Sequence, residues 1–275
     1  MTTSATITSS DGARLAYTDS GPARPGARTV VLVAGYAMPA TGWALQEDAL
    51  VAAGHRVIAF DRRSHGESED VTWGQRVARH GADLHELLET LAVDDAVLVG
   101  QSMGASTIWA TIDLFGTRGI AGVLTIDQTP KLINTADWPH GFYGMTPENS
   151  GTFFDEGIPD TGRGLRVDQG NAGVQRLIER IGGFPAVRTP NAPETVRLLR
   201  DHGQQDWRDV VERLDVPFTM VAGRDSQLWP CTHAEAAVGT NPNGRVVVVE
   251  DAGHATNLDQ PDVFNDVLLA FLESL

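Results

Sequence analysis

Cysteine is nearly missing from this chain: Cys231 is the only one in 275 residues. It cannot form an internal disulfide, and a reducing cytoplasm is the expected compartment. Lysine is as scarce. Lys131 stands alone among 21 basic residues, which face 36 acidic ones for a formal charge of −15. That balance excludes the basic surface a nucleic-acid binder needs and disfavours contact with an anionic membrane. No apolar run approaches the roughly 18 residues of a membrane span. The opening "MTTSATITSSDG" lacks the basic and apolar regions of a signal peptide. There is no H-E-x-x-H, no cysteine pair and no dinucleotide fingerprint after the first strands, so neither a metal nor a cofactor is expected. Internal repeats and low-complexity segments are absent too.

Strand-like runs are present, at wide spacing. "ATITS" and "RLAYTDSG", separated by Asp11-Gly12, read as a hairpin with a two-residue turn. "TVVLVAG" (29–35), "RVIAFD" (56–61), "AVLVG" (96–100), "IAGVLTID" (120–127), "PFTMVAG" (217–223) and "RVVVVED" (245–251) are continuous apolar runs. Such runs suit strands buried on both faces of a parallel sheet. Helical patterns such as "ARHGADLHELLETL" and "PDVFNDVLLAFLESL" fill the gaps. The expected fold is α/β: an eight-stranded, mostly parallel sheet with helices on both faces.

One interval breaks the rhythm. Between Asp127 and Val216 no buried strand is evident, and Gly, Pro and aromatics accumulate: Trp138, Phe142, Tyr143, Phe153, Phe154, Phe184 and Trp207. "GVQRLIERI" and "PETVRLLRDH" are helical within it. A structureless loop of that length is improbable, so the interval reads as a helical lid inserted after the sixth strand. The expected division is a core of 1–127 and 215–275 with a lid of 128–214. Trp138, Tyr143 and Phe154 of the lid are expected to touch the substrate, together with Gly35.

The chemistry is read from "VGQSMG", where a strand runs into a helix and Ser102 lies between Gly100 and Gly104. A nucleophilic serine must project its hydroxyl clear of its own backbone, and the tight turn that does this leaves no room for Cβ atoms at the flanking positions. The Met103 amide, at the helix N-terminus, would face a developing oxyanion. His254, in "EDAGHATNLDQPDVF" between the last strand and the last helix, is the expected base. His65, His80 and His85 carry no comparable signal and are read as surface or supporting groups. The second oxyanion donor is expected from the loop after "TVVLV", at the amide of Tyr36.

In order, "VLVAGYAMPATGW", "FDRRSHGES", "VGQSMG" and "AGHATNLDQPDVF" resemble the oxyanion loop, the turn after the fourth strand, the nucleophile elbow and the histidine loop of the α/β-hydrolases. Two departures are visible: Ala34 stands where many relatives have histidine, and Ser64 where the turn usually has glycine. The resemblance implies a Ser–His–acid triad. Many family members carry the acid after the seventh strand, three residues past a glycine. In "VAGRDSQLWP" that register falls on Ser226, and Asp225 is one residue early. Asp127, ending the sixth strand in "DQTPKLIN", is the preferred acid, with Asp225 as the alternative. This segment resembles the "E-L-P-T-K-L-L" stretch of fungal zearalenone lactonases, and "DQTP" resembles cofactor-free haloperoxidases as well.

The implied activity is a serine hydrolase acting on a carboxylic ester or lactone of a hydrophobic substrate, a macrocyclic lactone such as zearalenone included, through an acyl-enzyme. A cofactor-free haloperoxidase or perhydrolase, or a carbon–carbon bond hydrolase, would use the same triad. A non-catalytic receptor built on the hydrolase fold is disfavoured by a complete triad. The expected partner is the small hydrophobic substrate, with no nucleic acid and no membrane, and the sequence leaves a homo-oligomer open.

Overall fold

A computed structural model describes residues 2–166, 171–183 and 193–275. Eight strands form one sheet: β1 (Thr3–Thr8), β2 (Arg14–Asp19), β3 (Thr29–Val33), β4 (Arg56–Phe60), β5 (Ala96–Gln101), β6 (Ile120–Ile126), β7 (Phe218–Gly223) and β8 (Gly244–Val249). Their spatial order is β1-β2-β4-β3-β5-β6-β7-β8. β1 and β2 join antiparallel and every pairing from β4 to β8 is parallel. The N-terminal hairpin differs from expectation. Thr8 pairs with Arg14, so residues 9–13 form the connection. The Ser9 hydroxyl reaches both the Asp11 carboxylate and the Ala13 carbonyl, which organises a longer turn than Asp11-Gly12 alone suggests.

The central strands explain their own composition. Val31, Val33, Ile58, Phe60 and Leu98 enter one core, and Val30, Leu32, Val57, Ala59, Val97 and Val99 enter the core on the other face. Alternate side chains thus point to opposite faces, and both faces are covered, so no polar alternation is needed. The described helices are α1 (Ala44–Ala53), α2 (Val77–Thr90), α3 (Met103–Phe115), α4 (Ala172–Ile181), α5 (Pro193–Gly203), α6 (Arg208–Glu212), α7 (His233–Val238), α8 (Thr256–Asp259) and α9 (Pro261–Glu273). Leu84, Leu87, Ile108 and Trp109, from α2 and α3, share the first core, while Leu50 of α1 and Phe264, Leu268 and Phe271 of α9 share the second.

The insertion expected after the sixth strand lies between β6 and β7 and carries α4, α5 and α6. Its helices are tied to the rest of the molecule. Leu177 of α4 packs with Ala44, Leu45 and Leu258. Asp201 of α5 accepts the Val77 amide at 2.9 Å, supplying an anion to the N-terminus of α2. Phe184, among the aromatics expected in the lid, lies outside the described residues. Among the described residues no helix is long and apolar enough to cross a membrane.

Candidate functional site

Ser102 sits between β5 and α3 with φ 53° and ψ −129°. A non-glycine residue rarely adopts this region, and such strain persists only where the surroundings hold it. Here the Ser102 amide donates to Ile126 O at 2.9 Å and the Ser102 carbonyl accepts from Ala105 at 2.8 Å. The close approach expected around the serine is present. A Cβ on Gly104 would lie 2.1 Å from the Val33 carbonyl oxygen, and one on Gly100 would lie 2.7 Å from the Ala105 nitrogen. Met103 is the first residue of α3, so its amide is among the donors that a helix leaves without an internal partner.

His254 lies between β8 and α8 and is fixed through its backbone. Its amide donates to Gln227 Oε1 at 3.0 Å, and its carbonyl accepts from Gln101 Nε2 at 3.2 Å. The imidazole and the Trp229 ring meet in a T-shaped contact, with centroids 5.2 Å apart. Nε2 stands 2.9 Å from Ser102 Oγ and Nδ1 stands 2.8 Å from Asp127 Oδ2. With Nδ1–H donated to the carboxylate, Nε2 is left as the acceptor for the serine proton, a tautomer assigned from the contacts.

Asp127 follows β6 with φ 42° and is fully buried. Its Oδ1 accepts the Gly223 amide at 3.0 Å, and its Oδ2 accepts Ser226 Oγ at 2.6 Å as well as His254. His233 Nε2 approaches Oδ1 at 3.8 Å, beyond hydrogen-bond reach. Burial pushes the carboxyl up, but the facing His233 and His254 outweigh it and hold Asp127 below the usual carboxylate range. Asp225, the alternative acid, is exposed, and its backbone amide and carbonyl pair with Ala252 O and Leu165 N. Ser226, on which the register expected from the resemblance falls, donates its hydroxyl to Asp127 instead.

A cavity of about 260 Å³ opens beside Ser102 and His254. Gly35, Tyr36, Met38, Pro39, Trp43, Ile158 and Leu258 line it, with Gln101, Gln227 and Asn257 as its polar part. Gly35 and Tyr36, both expected at the site, are among the lining residues. Trp138, Tyr143 and Phe154 are not among the lining residues, which corrects the expected substrate contacts. Trp138 is 5% exposed, donates its indole N–H to Lys131 O and carries the Arg208 guanidinium over its ring. Phe154 is 2% exposed and meets Phe142 and Phe153 edge to face. Tyr143 is half-buried beneath Arg163. These side chains are held by core and insertion contacts rather than presented to the serine. His65 and His80 are likewise fully buried rather than superficial, whereas the half-buried His85 stacks on Phe115.

Sequence reasoning missed Gln227, Ile158 and Trp229, which come from irregular segments without periodicity. Met38 and Pro39 lay within the quoted oxyanion loop and were open to recognition there. Among the described residues no group of three or more His, Cys, Asp or Glu is arranged to hold a metal ion.

The comparisons with known proteins agree with this architecture. An esterase from Exiguobacterium antarcticum superposes with a TM-score of 0.80 at 19% identity, covering 98% of both chains, a likeness of fold. A bromoperoxidase from Bacillus anthracis gives a TM-score of 0.78 at 25% identity, over 98% of this chain and all of the other. A non-heme haloperoxidase of Rhodococcus erythropolis is 29% identical, across 98% of this chain and 99% of its own. The family model for the alpha/beta hydrolase family matches residues 30–267. With that match spanning most of its length, the chain belongs to the alpha/beta hydrolase family and is an enzyme, a hydrolase.

Proposed function

We propose that this hydrolase cleaves carboxylic esters of hydrophobic acids through an acyl-enzyme. The observation that carries the reading is the unbroken chain from Ser102 Oγ to His254 Nε2 at 2.9 Å and from His254 Nδ1 to Asp127 Oδ2 at 2.8 Å. His254 takes the hydroxyl proton as Ser102 Oγ bonds to the carbonyl carbon. Asp127 keeps the imidazole in the required tautomer and stabilises its cationic form. The amides of Tyr36 and Met103 stabilise the oxyanion. As the tetrahedral intermediate collapses, the carbon–alkoxide bond breaks and His254 returns the proton to the departing oxygen. Water, deprotonated by the same histidine, then attacks the acyl carbon and releases the acid and free Ser102.

The apolar lining supports a hydrophobic acyl group. A cavity of about 260 Å³ falls just below the ~300–1,000 Å³ typical of sites for drug-sized ligands. It favours compact acyl groups over a macrocycle. The narrower lactone reading rests on "DQTPKLIN" alone, where Gln128 and Thr129 are fully buried and bonded to neighbouring backbone carbonyls. The free Cys231 is consistent with a reducing, cytoplasmic setting.

A second reading has a specific support, the haloperoxidase names of the relatives. Hydrogen peroxide in place of water would attack the acyl-enzyme, releasing a peracid that oxidises halide in solution. The test is an assay over p-nitrophenyl esters of increasing chain length and lactones of increasing ring size, with and without hydrogen peroxide. Ester hydrolysis by the wild type and its loss in Ser102→Ala is the expected result, with peracid formation under peroxide marking the second activity. Turnover of Ser102→Ala within about tenfold of wild type would overturn the mechanism, because loss of such a nucleophile removes many orders of magnitude.

A further inference from the structure

Arg62, the second residue of "DRRSHG", is fully buried, and its hydrogen bonds go to neutral acceptors. Nε donates to Ala34 O at 3.1 Å and Nη2 to Gly35 O at 2.7 Å. Nη2 also meets His65 Nε2 and Nη1 meets His80 Nδ1, both at 3.1 Å. A guanidinium has no acceptor atom, so each of these imidazole nitrogens must accept. His65 fits: its Nδ1 lies 2.8 Å from Arg63 O and carries the hydrogen. His80 is kept neutral by burial and by the charge of Arg62, which push it well below its ordinary range. Burial lowers Arg62 itself to about 9, leaving it cationic at neutral pH.

The neighbouring residue grips the other end of the same loop. Asp61 Oδ1 accepts the Ala40 amide at 2.6 Å and its Oδ2 accepts Glu67 N at 3.0 Å. Residues 61 and 62 therefore brace residues 34–40 at both ends. The loop needs bracing, because Ala37, just beyond Tyr36, has φ 63°.

The Gly35 carbonyl and the Tyr36 N–H belong to one peptide group, and every described peptide is trans. In a trans peptide these two groups point in opposite directions. With the carbonyl held on the guanidinium at 2.7 Å and on the Met38 amide at 3.3 Å, the Tyr36 N–H faces away from Arg62, and Gly35 and Tyr36 both line the cavity beside Ser102. A flipped peptide would replace a donor by a carbonyl oxygen at the position of the oxyanion. We infer that Arg62 is a positioning residue of the oxyanion hole, acting on the Tyr36 amide through the Gly35 carbonyl. The inference rests on the ester-hydrolase reading above.

The test compares wild type with Arg62→Met, which keeps length without charge, and Arg62→Lys, which keeps charge without the fork. Removing one oxyanion donor typically lowers kcat by ~10²-fold or more, so a displaced donor should give a loss of about 10- to 100-fold in Arg62→Met. KM for the preferred ester should stay within about twofold, as expected for an interaction made only in the transition state. A trifluoromethyl ketone, which forms a tetrahedral adduct on Ser102, should bind more weakly by a similar factor, while an alcohol product binds equally. Arg62→Lys should recover part of the loss. An unchanged kcat would overturn the inference, as would a loss of kcat that follows a lowered melting temperature with ketone affinity intact. If neither variant folds, a crystal structure of the wild-type ketone adduct decides. Tyr36 N on the adduct oxygen with Gly35 O still on Arg62 upholds the inference, and a released Gly35 carbonyl defeats it. Failure of the ester-hydrolase reading looks different: wild type hydrolyses no ester, a fluorophosphonate leaves Ser102 unlabelled, and the inference falls with it.

Discussion

At the residue scale, the carboxylate that meets His254 and the one on the loop after β7 are held in opposite ways. Asp127 receives four approaches, from the Gly223 amide, Ser226, His254 and His233, while Asp225 lies exposed on the neighbouring loop. An Asp127→Asn exchange keeps volume but presents the wrong hydrogen-bonding group to His254, and kcat should fall by up to about 10⁴-fold. Asp225→Asn should change kcat by less than about tenfold, since among the described residues its hydrogen bonds are made by its backbone. Assayed side by side, with circular dichroism to confirm folding, a severe loss confined to Asp225→Asn would refute the assignment. The preference for Asp127 came from the family resemblance, which sets the sixth strand beside the nucleophile strand so that its end can reach the histidine loop. The four approaches were not legible in the sequence, since all of them come from residues about a hundred or more positions away.

At the scale of elements, the strands were legible and the insertion was legible only as an interval. β3 to β7 are buried on both faces, so their apolar runs carry no ambiguity. An aromatic in an irregular segment looks the same in sequence whether it faces a substrate or a core. Trp138 and Phe154 turned out to face the core, which reverses what their removal should do. Phe154→Ala should destabilise by roughly 3–5 kcal/mol, lowering the melting temperature by about 10 °C. Its remaining activity should fall equally on short and bulky esters. A changed chain-length preference at an unchanged melting temperature would return Phe154 to the pocket. Ser64 belongs to this scale as well: the residue standing where glycine is usual has φ 58°, and its hydroxyl compensates by bonding Val71 and Gln75.

At the scale of the whole molecule, buried neutral histidines tie folding to pH. Burial, with Arg62 and His254 nearby, lowers His202 from 6.5 to about 3. Below pH 6.5 the unfolded chain takes up a proton that the folded chain refuses, so stability is complete above that value and declines as pH falls toward 3. Between pH 7 and pH 5 this one site should remove roughly 2 kcal/mol. His80, shifted in the same direction by the same cause, adds to the effect. Denaturant titrations at the two pH values should show the decline, and His202→Gln should show a smaller one. An equal decline in both proteins would mean that His202 is not the group responsible.

The placement of the acid just after β6 has a consequence for how such a chain can change through descent. The proposed nucleophile, one oxyanion donor and the acid all fall within residues 102–127, the single strand–helix–strand unit β5–α3–β6. The insertion starts immediately afterwards. Ser226, on the far side of it, supports the acid without being the acid. A lineage built this way can lengthen, shorten or replace the insertion without coming between the nucleophile and its acid, and only His254 lies beyond it among the three triad members. Nucleophile, acid and one oxyanion donor therefore travel together on one short stretch of the gene, which a change of insertion leaves whole.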